Sequence, residues 1–238
     1  MSTPFVFIES EVASRLAALK ADDEPTGETN YRVIPKTNNE MDDGAFNRSA
    51  VRTAIVDTCI EIVGFICKTE GDPRRQQYRL TTTVAHGGQL PSAMGPYGAV
   101  YDAVTGRSLV ERSASDIFDV RGQQSGGLLD GLNFYFYATD GTILYHTLSG
   151  NATVEYFKYD RPYTTYSELD SLFDAATDLS PLPDEFGVVA ADGAAGRLCM
   201  KAGSFISEGA AFLQAYYTAL RERGLNATAS DFPARPAA

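Results

Sequence analysis

The chain has 238 residues, room for one large domain or two small ones with a real core. Apolar residues make up 44% and charged residues 21%, the balance of a globular chain rather than a disordered one. Acidic residues exceed basic ones by 31 to 20, a formal charge of −11. Such a surface repels phosphate, so neither tight binding of free nucleic acid nor docking on an anionic membrane is expected. No window reaches the roughly 18 consecutive apolar residues of a membrane span. Met1 to Ser10 lacks the basic stretch and long apolar run of a secretory signal.

The elements read as two helices, a β-rich middle and two further helices. Thr3-Pro4 suits a helix start, an N-cap followed by proline at the first helical position. Phe5, Ile8, Val12, Leu16 and Leu19 then recur at three- and four-residue steps. Residues 22–46 form a long polar connection, of the kind that is functional or ordered by a partner. Asn47 suits the cap of a second helix, whose stripe runs Val51, Ala54, Ile55, Thr58, Cys59, Ile62 and Ile66, with Arg48, Arg52 and Glu61 off it. Gly71-Asp72-Pro73 ends that helix.

From Tyr78 the period becomes alternating, and Tyr78, Leu80, Thr82 and Val84 share one face of a strand ending at Gly87-Gly88. Thr105-Gly106 separates two short β-prone runs. Asp140-Gly141 is the best hairpin signal, with Phe134 to Tyr137 before it and Thr142 to Thr147 after, because Asp-Gly tolerates the positive φ of a tight turn. Ser149-Gly150-Asn151 makes a further turn into a strand from Thr153 to Tyr159. Pro181-Leu182-Pro183-Asp184-Glu185 suits a helix start, followed by the stripe Phe186, Val189, Ala190, Gly193 and Ala194. The Ala/Gly run from Ala190 to Gly196 lets another helix approach closely. Ser204 suits the cap of the last helix, Phe205, Phe212, Tyr216 and Ala219 share one side, and Gly224 ends it. The expected class is α+β: a helical bundle from residues 1–73 and 166–224, an antiparallel β-sandwich or small β-barrel inserted at 74–165, and an extended tail at 225–238.

The chemistry-bearing residues form no catalytic pattern, so no enzyme, cofactor or metal is expected. His86 and His146 lack metal-ligand spacing, and no GxSxG, phosphate-loop or dinucleotide fingerprint occurs. The acidic clusters Asp22-Asp23-Glu24 and Asp42-Asp43 lack the spacing of a calcium loop. Three cysteines are an odd number, and Cys59 and Cys67 on one helix stand about 12 Å apart, too far to bridge. They read as small buried apolar residues of a reducing compartment. The three Asn-X-Ser/Thr sequons at Asn47, Asn151 and Asn226 read as chance matches. Arg74-Arg75 is an isolated basic pair, a solvated surface or a contact for an acidic partner. The candidate partner contacts are Arg74, Arg75, Asp140, Gly141, Asn226 and Phe232.

Five segments taken in order carry a resemblance. They are Ala54-Ile55-Val56-Asp57-Thr58-Cys59-Ile60-Glu61, Asp140-Gly141, Val154-Glu155-Tyr156-Phe157-Lys158-Tyr159, Leu182-Pro183-Asp184-Glu185-Phe186 and Gly193-Ala194-Ala195-Gly196-Arg197-Leu198. Their order over residues 47–222 resembles the head-to-tail adaptor (connector) family of short-tailed bacteriophages. The connection at 22–46 is longer and more polar than that pattern, and the loop from Gly87 to Ala99 is more elaborate. The resemblance implies a virion structural protein: a dodecameric ring at the head–tail junction, assembled in the host cytoplasm. One face meets the portal protein and the other the tail nozzle, with genome DNA passing through untethered. The alternatives are a monomeric carbohydrate- or ligand-binding module, suggested by the tyrosine-rich strands, and another virion completion or stopper protein.

Overall fold

The computed structural model describes residues 2–17, 48–90, 97–111, 134–137, 143–146, 148–174, 178–202 and 205–225. The polar connection, Leu19, Asn47, Asp140-Gly141, Ser204 and the tail beyond 225 lie outside these residues. The chain is a mixed α+β protein with small, mostly antiparallel sheets. It divides into two compact units, one of residues 75–158 and one of residues 1–74 with 159–238.

The helical unit begins with a strand, not with a helix cap. Ser2–Pro4 (β1) pairs antiparallel with Leu179–Pro183 (β9). The expected helix starts at Thr3-Pro4 and at Pro181–Glu185 are therefore both corrected. The physical reason is shared: a residue before proline is pushed out of the helical region into extended conformation. Thr3, Ser180 and Leu182 all precede prolines. The Thr3 hydroxyl donates to the carbonyl of Asp184 at 3.4 Å rather than capping a helix. Helix α1 then runs Phe5–Ala17, and its first free N–H, that of Phe5, donates to the carbonyl of Asp178 at 3.1 Å. Phe5, Ile8, Val12 and Leu16 are all buried.

Helix α2, Arg48–Lys68, packs against α1, against the short helix α3 (Tyr166–Ser171), against α4 (Gly187–Ala202) and against β9. A helix with neighbours on so many sides has little solvent face to spare. Arg52 and Glu61, expected off the apolar stripe, are accordingly buried beside Val51, Ile55, Cys59, Ile62 and Ile66. Each is paired, as a buried charge must be: Arg52 with Glu9 and Asp170, Glu61 with Arg197.

Helix α4 is preceded by a 3-10 turn at Asp184–Phe186 and packs on both α2 and α5 (Ile206–Glu222). The small residues make this possible. A Cβ at Gly193 would lie 2.7 Å from Thr58 Cγ2 and 2.9 Å from the Tyr216 ring. One at Gly196 would lie 2.8 Å from Leu213 Cγ, and one at Gly209 would lie 3.0 Å from the Gly196 carbonyl. Three helices thus meet at near-backbone distance, and Tyr216 is fully buried there. The residue in the cap position of α5 is Phe205, which makes no side-chain cap bond.

In the β unit, β8 (Ala152–Phe157) is the centre of a three-stranded antiparallel sheet between β2 (Arg79–Val84) and β4 (Tyr97–Asp102). A four-stranded sheet orders β3 (Gly88–Gln89), β7 (Ile143–His146), β6 (Phe134–Tyr137) and β5 (Val110–Glu111). Its β5–β6 pair is parallel. Tyr135 pairs with His146 and Tyr137 with Leu144, a register centred between positions 140 and 141. Gly106, at φ +68, turns the chain after β4, and Asp102 accepts hydrogen bonds from Val104 N–H and the Thr105 hydroxyl. Val84, Leu90, Val100, Leu109, Leu144, Ala152 and Val154, drawn from both sheets, form the core. That core lies at the Val84 end of β2. Leu80, expected to share a face with Val84, is 41% exposed, four residues and about 13 Å along the strand.

Candidate functional site

The predicted contact pair separates into two internal arginines. Arg74 follows the turn after α2, and its guanidinium donates to both Asp72 oxygens, to Glu185 at 2.6 Å and to the Arg223 carbonyl at 2.9 Å. It also stacks over the Phe186 ring at 5.1 Å. The Asp72 hydrogen bond, followed by Glu185, raises its pKa further above the ordinary arginine value. Arg74 is a clasp between the end of α2, the start of α4 and the end of α5, rather than a solvated cation. Arg75 lies 3.9 Å over the Phe157 ring. Asp140, Gly141, Asn226 and Phe232 fall outside the described residues.

The two histidines stand together. His146 is buried on β7, with Nε2 3.3 Å from the Val84 carbonyl, and burial depresses its pKa. His86 lies edge-on to it at 5.5 Å, with Nδ1 2.5 Å from the His146 carbonyl. Among the described residues no group of three or more His, Cys, Asp or Glu is placed to hold a metal ion. Cys59, Cys67 and Cys199 are buried and form no disulfide. Burial raises the thiol pKa of Cys59 and pushes that of Cys199 up to about 11, so neither is a ready nucleophile.

The helical unit also holds a cleft of about 550 Å3 between α2, α3 and α4, whose residues the sequence patterns did not single out as a site. Ser49, Thr53 and Asp57 line it from α2 at steps of four, with Ala50 and Ala54 beside them. Arg197 and Lys201, one turn apart on α4, face them across buried Leu198. Tyr166 forms part of the lining from the first residue of α3 and is 68% exposed. Its position is fixed by a capping box: Thr165 accepts from Glu168 N–H, while the Glu168 carboxylate accepts from the N–H groups of Thr164 and Thr165 and from the Thr164 hydroxyl. The Thr164 N–H bond, the largest contributor, helps hold Glu168 below the usual glutamate range. The two i,i+4 series, Ser49-Thr53-Asp57 and Arg197-Lys201, were the signal available in the sequence.

The charges around this cleft are unequal. Asp57 pairs with Arg161, which lies 5.2 Å over the Tyr163 ring, and Arg197 pairs with Glu61. Lys201 is exposed and has no ion-pair partner among the described residues. No protein-family model matches the chain, and no curated protein matches it either.

Proposed function

We propose that the chain is a virion structural protein, the ring-forming adaptor between the portal and the short tail of a tailed bacteriophage. The observation that carries this reading is the inserted architecture: residues 75–158 form a β unit within a helical unit made of the segments on either side. The segments that suggested the family occupy fold-determining places. Ala54 to Glu61 lie on the central helix α2, Val154 to Phe157 on the central strand β8, and Gly193 to Leu198 where α4 approaches α2 and α5 most closely. Leu182 to Phe186 carry the chain from β9 into α4.

On this reading the helices belong to a bundle and the two small sheets to a sandwich or small barrel. Twelve copies meet the portal on one side and the tail nozzle on the other. An acidic chain suits a conduit, because a lining that held phosphates would stall a sliding polyanion. No helix of the described residues is long and apolar enough to cross a membrane.

Sedimentation velocity of the chain with and without portal protein is the test. A monomer that assembles into a ring only on the portal is expected. A stable dimer in both conditions would overturn the reading. A second reading, a monomeric ligand-binding module, draws on the Tyr166-lined cleft, and its signature is glycan or small-molecule binding without assembly.

A further inference from the structure

The cleft between α2, α3 and α4 offers donors that nothing among the described residues uses. The hydroxyls of Ser49, Thr53 and Tyr166 and the ammonium of Lys201 line it without a hydrogen-bond partner there. Arg197 Nε is buried and also lacks an acceptor. The charges add in one direction. Asp57 with Arg161 and Glu61 with Arg197 cancel, and Lys201 remains. A single surplus cation would mean little on a basic protein. On a chain of −11 it marks a local site where an incoming carboxylate meets attraction instead of the general repulsion.

Size and lining define the ligand further. A volume of about 550 Å3 exceeds what one small oxyanion fills and falls in the usual range of organic-ligand clefts. Ala50, Ala54 and Leu198 give the cleft apolar wall between the two polar rows. Tyr166 adds a largely exposed ring, the type of side chain that anchors peptide contacts at low entropic cost.

We propose that this cleft binds an acidic peptide segment of a partner chain. Lys201, backed by Arg197, receives the carboxylate, Tyr166 covers the neighbouring apolar side chain, and Ser49 and Thr53 bond the peptide backbone. This site stands on the cleft alone and does not depend on the adaptor reading.

The test titrates the full chain with a fluorescein-labelled acidic hexapeptide, Gly-Asp-Asp-Phe-Glu-Gly. Its Asn/Gln counterpart and inorganic phosphate serve as the comparison arms. Saturable binding of the acidic peptide is expected, with amide shifts confined to residues 49–57, 166 and 197–201. Lys201→Glu should weaken binding about tenfold or more, since like charges then face each other, and Lys201→Arg should retain it. Lys201 is exposed, so both variants should fold, which circular dichroism checks. Three results would overturn the proposal: no acidic-peptide binding, equal binding of the neutral peptide, or an unchanged Lys201→Glu. Phosphate shifting these amides while the peptide does not would overturn it too, in favour of a free-oxyanion site. A chain that binds the peptide yet forms no ring on the portal would sink the adaptor reading and leave this one standing.

Discussion

Arg52 and Glu9 meet at 2.9 Å, Nε to Oε1, with the arginine side chain only 3% exposed. The same guanidinium donates to Asp170 at 2.9 Å and lies 4.8 Å over the Phe173 ring. One side chain of α2 therefore ties α1 to α3. Removing it leaves Glu9, itself buried, without its nearest counter-charge, though Arg48 stands 3.2 Å away. Arg52→Ala should cost about 3–5 kcal/mol, the range for breaking a buried pair from one side. Urea denaturation measures this. A loss under about 1 kcal/mol would place the pair among weak surface bridges.

The approach of α4 to α2 gives a second prediction. Gly193→Ala puts a methyl group 2.7 Å from Thr58 Cγ2, and should destabilise by about 1–3 kcal/mol through overpacking. Thr58→Ser removes that methyl and keeps a hydroxyl able to donate to the Ala54 carbonyl, as Thr58 does at 2.7 Å. The double variant should recover part of the loss, leaving the share due to the Tyr216 ring. Simple additivity of the two single variants would mean that Thr58 is not the obstacle.

Acid should weaken the two units through different groups. His146 has a folded pKa below the ordinary 6.5, chiefly from burial, with His86 adding to the shift and the Val84 carbonyl opposing it. A depressed histidine pKa means that the unfolded chain binds the proton more readily. The neutral ring therefore stabilises above pH 6.5, and that contribution fades as pH falls through the folded value. Glu168 has a folded pKa below the ordinary 4.5, so its contribution is present above 4.5 and fades further into acid. Thermal unfolding of wild type against His146→Gln should diverge in the window below pH 6.5, and against Glu168→Gln only below pH 4.5. Curves that run parallel across both windows would remove these groups from the pH dependence.

Duplex DNA gives the fourth prediction. In the proposed ring, twelve copies of a chain at −11 would carry on the order of −130, a field that disfavours polyanions. Arg74, the strongest basic candidate in the sequence, is already committed to Asp72 and Glu185. The free chain should show no measurable affinity for duplex DNA at physiological salt by fluorescence anisotropy. Submicromolar, salt-sensitive binding would point instead to active DNA handling.

Short-range periodicity was the readable part of this chain. Phe5, Ile8, Val12 and Leu16 are buried as their spacing demands, and Gly193 and Gly196 sit where helices approach closely. The β6 and β7 strands expected on either side of Asp140-Gly141 pair antiparallel, while the Asp-Gly turn lies outside the described residues. What failed had distant causes. Thr3-Pro4 reads as a helix start, and what draws it into extended chain is a strand partner near residue 180. Arg52 and Glu61 lie off the apolar stripe, and their burial was not legible because their partners, Glu9, Asp170 and Arg197, belong to other helices. The cleft draws on three separate segments, and only its two i,i+4 series leave a trace in the sequence.

The split of the helical unit also sets an order of synthesis. Every described strand of the β unit has its pairing partner within residues 75–158, so those sheets can form as soon as residue 158 clears the ribosome. The first segment must wait. β1 has no strand to join until residues 179–183 emerge, and α4 lacks its α5 neighbour until a further forty or so residues have been added. At ~5–20 residues per second, α1 and α2 wait for their α4 neighbour, which ends at Ala202, for about 2–9 s after the β unit is ready. The apolar stripes of both helices, including Ile8, Val12, Ile55 and Ile62, lack their α4 cover for that interval. Truncation before β9 should therefore yield a chain whose β unit is protected from protease while its helices are not.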